Sequence, residues 1–291
     1  GGAPAGEAPE ALSFSTGLAK LPPRERLQQV RPVAWVHVPK CGAHFGDALV
    51  HLPGVCPGLP GQDWICTDAN TMCVDDFFVL MHGGPTAYGA PRMCTGMTRW
   101  SGHDGFGSQY QTMKGHAFVM LRQPEQRLIS GYYHYDWPYQ DHHHGWPYPR
   151  PPRSVKEYAE VTGGVAVKML TRDGSFEPSD AAKPTEAETA EAVRRLREGF
   201  AFVGLTEEWE LSMCLLHTMF GGECNSHEMS VAHAGHRHSA EPYSTAQLEG
   251  FRDAHDGAVY AEAARIFREN LRVYNVSRTS CEPCFRRAGL A

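Results

Sequence analysis

Two short stretches of the chain combine residue types that bind anions. In the first, PKCGAH (residues 39–44), Lys40 precedes a glycine-containing turn, and a predicted short helix begins at Phe45. The backbone amides of residues 41–44, together with Phe45 at the helix start, can surround one phosphate, to which Lys40 adds a positive charge. The stretch lacks the Gly-Lys-Ser/Thr sequence of an ATP-binding P-loop. On its own it could also be an ordinary surface turn.

The second stretch, RQPEQRLIS (residues 122–130), places two arginines and a hydroxyl around the start of a predicted helix. Arg127 and Ser130 share a helix face, and Arg122, at the end of the preceding predicted strand, can point into the same crevice. The guanidinium fork matches the oxygens of a phosphate. The alternative interpretation is a structural salt bridge.

Together the two stretches resemble the donor-binding motifs of PAPS-dependent sulfotransferases, which use 3′-phosphoadenosine 5′-phosphosulfate as sulfuryl donor. In that family a P-K-x-G-type loop binds the 5′-phosphosulfate, and an R-x-P-x-x-R-x-x-S motif binds the 3′-phosphate. Residues 39–42 and 122–130 match these motifs. The sequence ISGYYHY (129–135) is similar to the carbohydrate branch of the family, which is Golgi-type and heparan-sulfate 2-O-like. Later segments also match that branch, so the resemblance covers about residues 31–274.

The resemblance implies the donor contacts and the chemistry. Cys41, Gly42, Ala43, His44 and Phe45 would bind the 5′-phosphate. Arg122 and Ser130 would bind the 3′-phosphate, with Arg127 supporting that second site. In-line sulfuryl transfer, like phosphoryl transfer, develops charge on the peripheral and leaving oxygens, so Lys40 would stabilise the leaving phosphate of adenosine 3′,5′-bisphosphate. This mechanism requires no metal.

The acceptor hydroxyl needs a general base, and a neutral histidine suits that role near pH 7. The chain has 16 histidines. In the carbohydrate branch the base lies between the two donor motifs, often in a Gly-His pair, and Gly102-His103 stands there in this chain. His103 is therefore the predicted base. His82 is the first alternative, followed by His44 and His116.

The chain departs from the family pattern in two places, at residues 43–44 and at residue 123. Ala43 and His44 stand where the family usually has Ser or Thr after the loop glycine. Either the backbone amides and His44 take over the hydroxyl contacts, or the affinity for the donor is weaker. Gln123 replaces the more usual Asp, Asn or His, which leaves the neighbouring phosphate contacts intact. In the family a further contact comes from a basic loop between the last two helices. Here that loop is VAHAGHRHS (231–239), with Arg237 as the predicted contact.

The elements that must position these residues follow from the hydrophobic pattern. Buried strands are predicted at Arg31–Val38, Phe77–His82, His116–Arg122 and Phe200–Leu205. Helices are predicted at 45–52, 124–135, 185–199 (with a capping box), 206–221 and 256–274. Alternating strands and helices predict one three-layer α/β domain with a central, mainly parallel sheet. This domain is assigned to residues 31–291, after a flexible leader at 1–30.

Two other clusters contain residue types that can bind metal ions. The loop at 136–153 contains three consecutive histidines (142–144), but no neighbouring Cys or Asp pattern completes a closed site. Its aromatic residues, Trp137, Tyr139, Trp146 and Tyr148, could instead form an acceptor-side wall or anchor the loop. Cys281-x-x-Cys284 could begin a zinc site, but no second pair has suitable spacing. A disulfide or free thiols are preferred there.

Composition limits the partners and the compartment. A net charge of −6 argues against a general binder of nucleic acid or acidic membranes. No apolar run approaches the roughly 18–20 residues of a membrane span. Nine cysteines and the single sequon Asn275-Val276-Ser277 favour a secretory or Golgi lumen, with the cytoplasm as the alternative.

The resemblance implies a carbohydrate acceptor. A net charge of −6 suits a long polyanionic glycan poorly, so a small hydroxylated metabolite is the alternative acceptor. Two alternative functions remain. A non-catalytic, sulfotransferase-like nucleotide-binding protein fits the missing loop hydroxyl. A nucleotide kinase would need a Gly-Lys-Ser/Thr loop and an acidic Mg²⁺ ligand, and the sequence shows neither.

Overall fold

At the centre of the fold is a parallel β-sheet. The structure is a computed structural model that describes residues 12–57, 95–99, 103–134, 152–174, 182–229 and 242–290. Within these ranges four strands have the order β2-β1-β3-β4 and pair only in parallel: β1 (Val33–Val36), β2 (Met97–Arg99), β3 (Ala117–Leu121) and β4 (Phe200–Leu205). Every residue of β1, β3 and β4 is buried, so both faces of the sheet are covered. The predicted α/β class with a parallel sheet is confirmed.

The helices lie between these strands and after them. In chain order they are α1 (Phe14–Gly17), α2 (Pro23–Val30), α3 (Phe45–Val50), α4 (Tyr110–Met113), α5 (Pro124–His134), α6 (Val155–Thr162), α7 (Val165–Thr171), α8 (Glu186–Gly199), α9 (Trp209–Phe220), α10 (Ser226–Met229), α11 (Ala254–Val273) and α12 (Glu282–Arg287). Short 3₁₀ turns occur at Leu18–Lys20, Thr206–Glu208 and Thr245–Leu248. None of the helices in the described ranges is long and apolar enough to cross a membrane.

Most predicted elements are present with slightly shorter bounds. The three predicted strands that fall in the described ranges correspond to β1, β3 and β4, and the five predicted helices correspond to α3, α5, α8, α9 and α11. The capping box of α8 is formed in both directions between Thr185 and Glu188. The strand predicted at 77–82 lies outside the described residues. Strand β2 was not predicted, because three residues are too few to show a pattern.

The predicted flexible leader differs from the structure over its second half. Residues 14–30 form α1, a 3₁₀ turn and α2, and they pack against α11 and α9. The polar side chains that suggested a solvated leader are buried and bonded: Thr16 Oγ1 donates to Asn270 Oδ1 (3.1 Å), and Asn270 Nδ2 donates to Ser15 Oγ (2.9 Å). Local composition does not predict these hydrogen bonds, because Asn270 lies more than 250 residues away from Ser15 and Thr16 along the chain.

Two disulfides attach the C-terminal segment to α9 (Cys214, in the middle of the helix) and to the segment that follows it (Cys224). Cys281 bonds to Cys214 and Cys284 bonds to Cys224. The disulfide alternative for the Cys-x-x-Cys pair is therefore confirmed, although each cysteine pairs with a distant partner. Cys56 is also disulfide-bonded, whereas Cys41 is a buried free thiol.

Candidate functional site

The carboxyl edge of the sheet brings together the two stretches that are predicted to bind anions. Residues 37–44 follow β1 and residues 122–123 follow β3, and these two strands are neighbours in the sheet. Arg122 Nη1 donates to the carbonyl oxygen of Lys40 across 3.5 Å. Parallel strands end at the same edge, which is where open α/β sheets bind ligands. Stretches 82 residues apart in sequence therefore face one crevice.

The turn after β1 uses some of its own amides. The amide of Cys41 donates to the carbonyl three residues earlier (3.2 Å), and the amide of Phe45 donates to the carbonyl of Gly42 (3.1 Å). The amides of Gly42 and Ala43 donate to no described backbone acceptor. Of the predicted phosphate-binding amides, these two have the clearest capacity for a ligand.

Trp209 packs directly behind this turn. Gly42 has φ +87°, and a Cβ atom built there would lie 2.4 Å from Cζ3 of Trp209. The indole is fixed because its Nε1 donates to the carbonyl of Glu228 across 2.6 Å. Only glycine combines this φ value with the absence of a Cβ atom. Trp209 thus holds the turn in shape, a role that the sequence did not reveal.

Burial lowers the pKa of Lys40, and Arg122 lies close enough for its charge to lower that pKa further. Lys40 lies in the left-handed region (φ +65°). Burial and the charge of Arg122 lower the pKa of Lys40 to about 8. The ammonium is still mostly protonated at pH 7, and a bound anion would relieve the repulsion between the two cations. Burial raises the pKa of the Cys41 thiol to about 12, so this thiol is neutral and unreactive.

The two arginines of the second stretch have different surroundings. The Arg127 guanidinium is buried, with Nη2 3.2 Å from Asp256 Oδ2 and 3.8 Å from Asp253 Oδ2. Burial alone would lower the pKa of Arg127, but the two carboxylates raise it. The salt-bridge interpretation thus describes Arg127, which ties α5 to the start of α11. Ser130 is also buried. Phosphate contacts from Arg127 and Ser130 stay predictions.

Gln123 organises the start of α5. The side-chain Oε1 of Gln123 caps the helix by accepting from the backbone amide of Gln126 (2.8 Å). The backbone amide of Gln123 donates to Oε1 of Glu207 (2.9 Å), a residue that follows β4. The departure from the family pattern at this position therefore has a local structural role. The bond to Glu207 also joins the ends of β3 and β4.

A clamp between Gln126 and Tyr243 lies beside Arg122. Gln126 Nε2 donates to the carbonyl of Tyr243 (2.9 Å), and the amide of Tyr243 donates to Gln126 Oε1 (2.7 Å). The ring of Tyr243 lies 5.7 Å, centroid to Cζ, from the Arg122 guanidinium. No local sequence pattern predicts this contact, because its partners are 117 residues apart.

The candidate bases occupy different edges of the sheet. The His103 ring centroid lies 4.5 Å from that of His37, which directly follows β1, so His103 is at the carboxyl edge. His44 Nδ1 lies 3.0 Å from Asp47 Oδ2. His116 Nδ1 donates to the carbonyl of Val30 (2.9 Å) at the amino edge, away from the crevice. His37 was not singled out by the sequence analysis.

Several predicted residues lie outside the described ranges. These are Gly102, the alternative base His82, the donor contact Arg237, and the histidine and aromatic residues of the loop at 136–153 named above. In the part of the chain that the structure describes, no group of three or more His, Cys, Asp or Glu side chains could hold a metal ion.

Comparison with known proteins adds no assignment. No protein-family model matches the chain, and the searches of curated proteins and of solved structures return no match.

Proposed function

We propose that the protein is a PAPS-dependent O-sulfotransferase. One observation carries the proposal: Arg122 of the second stretch reaches the carbonyl of Lys40 in the first, at the carboxyl edge of the sheet. A donor with two separated phosphates needs two anion sites within one crevice, and ATP has no 3′-phosphate. The convergence of the two stretches supports a donor of that kind.

The first site would hold the 5′-phosphosulfate. The amides of Gly42 and Ala43 would bind phosphate oxygens, and the Lys40 ammonium would neutralise the charge that develops on the leaving phosphate. Because the pKa of Lys40 is lowered to about 8 by burial and by Arg122, a dianionic ligand is the natural counter-charge here.

The second site would hold the 3′-phosphate through Arg122 and Ser130. Arg127 would support this site indirectly. Its buried ion pair with Asp256 would hold in place α5, the helix that carries Ser130. Arg237 is proposed as a further phosphate contact on the sequence resemblance alone.

His103 is proposed as the general base that accepts the proton of the acceptor hydroxyl. Its place beside His37, at the end of β1, supports this role, because it lies at the same sheet edge as the donor residues. General-base catalysis typically contributes about 10²–10⁴-fold to the rate.

The acceptor is proposed to be a carbohydrate or a small hydroxylated metabolite, and the compartment an oxidising secretory or Golgi lumen. The disulfides at Cys214–Cys281 and Cys224–Cys284 support the compartment, since structural disulfides persist mainly in oxidising environments.

A non-catalytic nucleotide-binding protein is the second candidate. It is favoured by the first site, where Ala43 offers no hydroxyl and the His44 imidazole lies against Asp47. Both features predict weaker donor binding than a hydroxyl-bearing turn would give.

A thermal-shift titration tests the proposal. We expect adenosine 3′,5′-bisphosphate to raise the melting temperature and ATP with Mg²⁺ to have no comparable effect, with Lys40→Ala and Arg122→Ala each abolishing the stabilisation. Equal stabilisation by ATP with Mg²⁺, or none by the bisphosphate, would refute the donor assignment.

An acceptor screen with labelled donor then separates the two candidates. Sulfate transfer to polysaccharides or small alcohols supports the enzyme, and binding without transfer supports the non-catalytic protein. His103→Ala should keep the bisphosphate stabilisation and lose most of the turnover. Full turnover in that variant would remove the assignment of the base.

A further inference from the structure

We propose that Asn275 is an N-glycosylation site. Asn275-Val276-Ser277 is the only Asn-x-Ser/Thr sequence in the chain. Asn275 is exposed in the turn that ends α11, with φ +54°, and its side-chain amide makes no hydrogen bond with a described residue. An exposed sequon in a surface turn is the form that this modification requires.

The same segment carries independent evidence of an oxidising compartment. Cys281 and Cys284, six and nine residues after Asn275, are disulfide-bonded to Cys214 in α9 and to Cys224 after α9. Stable disulfides form in the lumen where N-glycans are transferred. The sequon and the two disulfides therefore point to one compartment by different chemistry, without reference to the sulfotransferase proposal.

The position of Asn275 keeps a glycan away from the crevice. Helix α11 begins next to Arg127, at the carboxyl edge, and its 20 residues span about 30 Å. At its other end Tyr274 donates to the carbonyl of Ser15 and stacks under Arg26 of α2, the helix that leads into β1. Asn275 thus lies at the amino edge of the sheet.

The reaction is ordinary group transfer with a lipid-pyrophosphate-linked oligosaccharide as co-reactant. The Asn275 Nδ2 atom forms a C–N bond to the anomeric carbon, the C–O bond to the lipid pyrophosphate breaks, and Nδ2 gives up one proton. No oxidant or reductant is involved.

The test is secretion of the full chain, behind a cleavable signal peptide, from a eukaryotic cell. We expect a mobility shift on treatment with peptide N-glycosidase, lost in Asn275→Gln and retained in Ser277→Thr, which keeps both the sequon and the hydroxyl that accepts from Ser280. Asn225→Gln is the matched control, because Asn225 is not in a sequon. Secreted protein that keeps both disulfides but shows no shift would contradict the proposal, as would a shift that persists in Asn275→Gln.

A separate set of contacts carries a second inference, which rests on the proposed function. We infer that Tyr243 is a positioning residue that directs Arg122 towards the 3′-phosphate. The Tyr243 ring contacts two groups: the Arg122 guanidinium, whose Cζ lies 5.7 Å from the ring centroid, and the stacked ring of Tyr133, at 6.1 Å with an interplanar angle of 27°. A cation held over an aromatic ring loses much of its freedom to turn away.

The clamp from Gln126 makes this arrangement rigid. Gln126 is buried on α5, four residues after Arg122, and its side-chain amide satisfies both backbone polar groups of Tyr243. The ring that restrains Arg122 is therefore tied to the same helix that follows Arg122. A change at Gln126 should act on the phosphate contact only through Tyr243.

The ratio of two binding constants tests this role. Adenosine 3′,5′-bisphosphate and adenosine 5′-phosphate differ only in the 3′-phosphate, so their affinity ratio reports on Arg122 and is insensitive to general destabilisation. We expect Tyr243→Ala to reduce the ratio roughly 3- to 10-fold, Gln126→Ala to reduce it in the same direction, and Tyr243→Phe to retain it. Gln247 accepts a hydrogen bond from the Tyr133 hydroxyl but takes no part in the clamp, so Gln247→Ala should leave the ratio unchanged.

The outcomes separate the two levels of proposal. A wild-type protein with no preference for the 3′-phosphate would contradict the donor assignment itself. A wild-type preference that survives intact in Tyr243→Ala would contradict only the positioning role.

Discussion

Replacing Gly42 by alanine is the sharpest single perturbation of the turn after β1. The substitution adds one methyl group at φ +87°, and that methyl would lie 2.4 Å from Cζ3 of Trp209. Two separate costs therefore combine, one from the backbone conformation and one from the overlap with the indole.

The size of each cost can be assigned from the structure. A left-handed conformation costs an L-residue roughly 1–2 kcal/mol. Forcing extra volume against a packed side chain costs typically about 1–3 kcal/mol. Trp209 cannot move aside freely, because its Nε1 is bonded to the carbonyl of Glu228. We expect Gly42→Ala to lower the free energy of unfolding by about 2–5 kcal/mol.

Gly250 offers a matched control for the first cost. Its φ is +84°, and a Cβ atom built there has nothing within 4 Å. Gly250→Ala should therefore cost only about 1–2 kcal/mol. The gain from a stiffer unfolded chain is common to both variants, so the difference between them isolates the overlap with Trp209.

Urea unfolding of the two variants measures this difference. A double-mutant cycle with Trp209→Leu adds a second measurement, in which the combined variant should lose less stability than the sum of the single variants. If Gly42→Ala and Gly250→Ala are equally destabilised, the close contact between the turn and Trp209 is refuted.

Further expected outcomes concern the buried polar pairs and the disulfides. His217 is buried with Nε2 2.7 Å from Glu228 Oε2; burial acts to lower the pKa of His217, but Glu228 raises it above its usual value. Because the pKa of His217 is raised, the folded state binds the proton more tightly than the unfolded state does. The difference in unfolding free energy between wild type and Glu228→Gln should therefore be fully present below about pH 6.5 and should decline as the pH rises through the raised pKa. Unfolding free energies of both proteins, measured over a range of pH, test this. A flat difference would contradict this. Cys284→Ser opens a 60-residue loop and should cost about 4 kcal/mol by the chain-entropy model, read as a lower urea midpoint. Reduction should lower the midpoint of Cys284→Ser/Cys281→Ser less than that of wild type, because the double variant already lacks the bonds to Cys214 and Cys224 and keeps the disulfide of Cys56. Arg127→Met should destabilise the fold by about 3–5 kcal/mol through the unpaired carboxylates, while Arg122→Met should change the melting temperature of the ligand-free protein little.

The parts of the fold that local patterns specify were predictable. Strands β1, β3 and β4 are continuous apolar runs. The capping box of Thr185 and Glu188 marks the start of α8 in the sequence. The convergence of Lys40 and Arg122 followed from the parallel order of their strands, which places both at one edge. In each case the signal lies within a few residues of the feature it specifies.

The parts that the sequence did not reveal depend on partners far along the chain. Trp209 follows β4 and Gly42 follows β1, and these two strands are separated in the sheet by β3. The contact between Trp209 and Gly42 therefore depends on the order of the strands, which no local pattern specifies. The pairing of Cys281 with Cys214 and of Cys284 with Cys224 has no local signature, because spacing alone does not determine connectivity. Ser15 and Thr16 suggested a solvated leader for the same reason, because their partner Asn270 lies more than 250 residues away along the chain.

The second stretch shows why residue type alone cannot divide ligand contacts from structural ones. Arg122 and Arg127 carry the same guanidinium and stand five residues apart, yet Asp253 and Asp256 surround only the second. Asp253 caps the start of α11 by accepting from the amide of Asp256. The two carboxylates also accept from the amides of Gly164, Ala166 and Val167 at the start of α7. Arg127 is therefore the counter-charge of a junction between three helices.

Arg122 instead contacts the carbonyl of Lys40 and the ring of Tyr243. No described carboxylate lies within salt-bridge distance of Arg122, so its charge is available to an anion. The motif predicts an anion site, but the distribution of carboxylates around it decides which arginine can serve it.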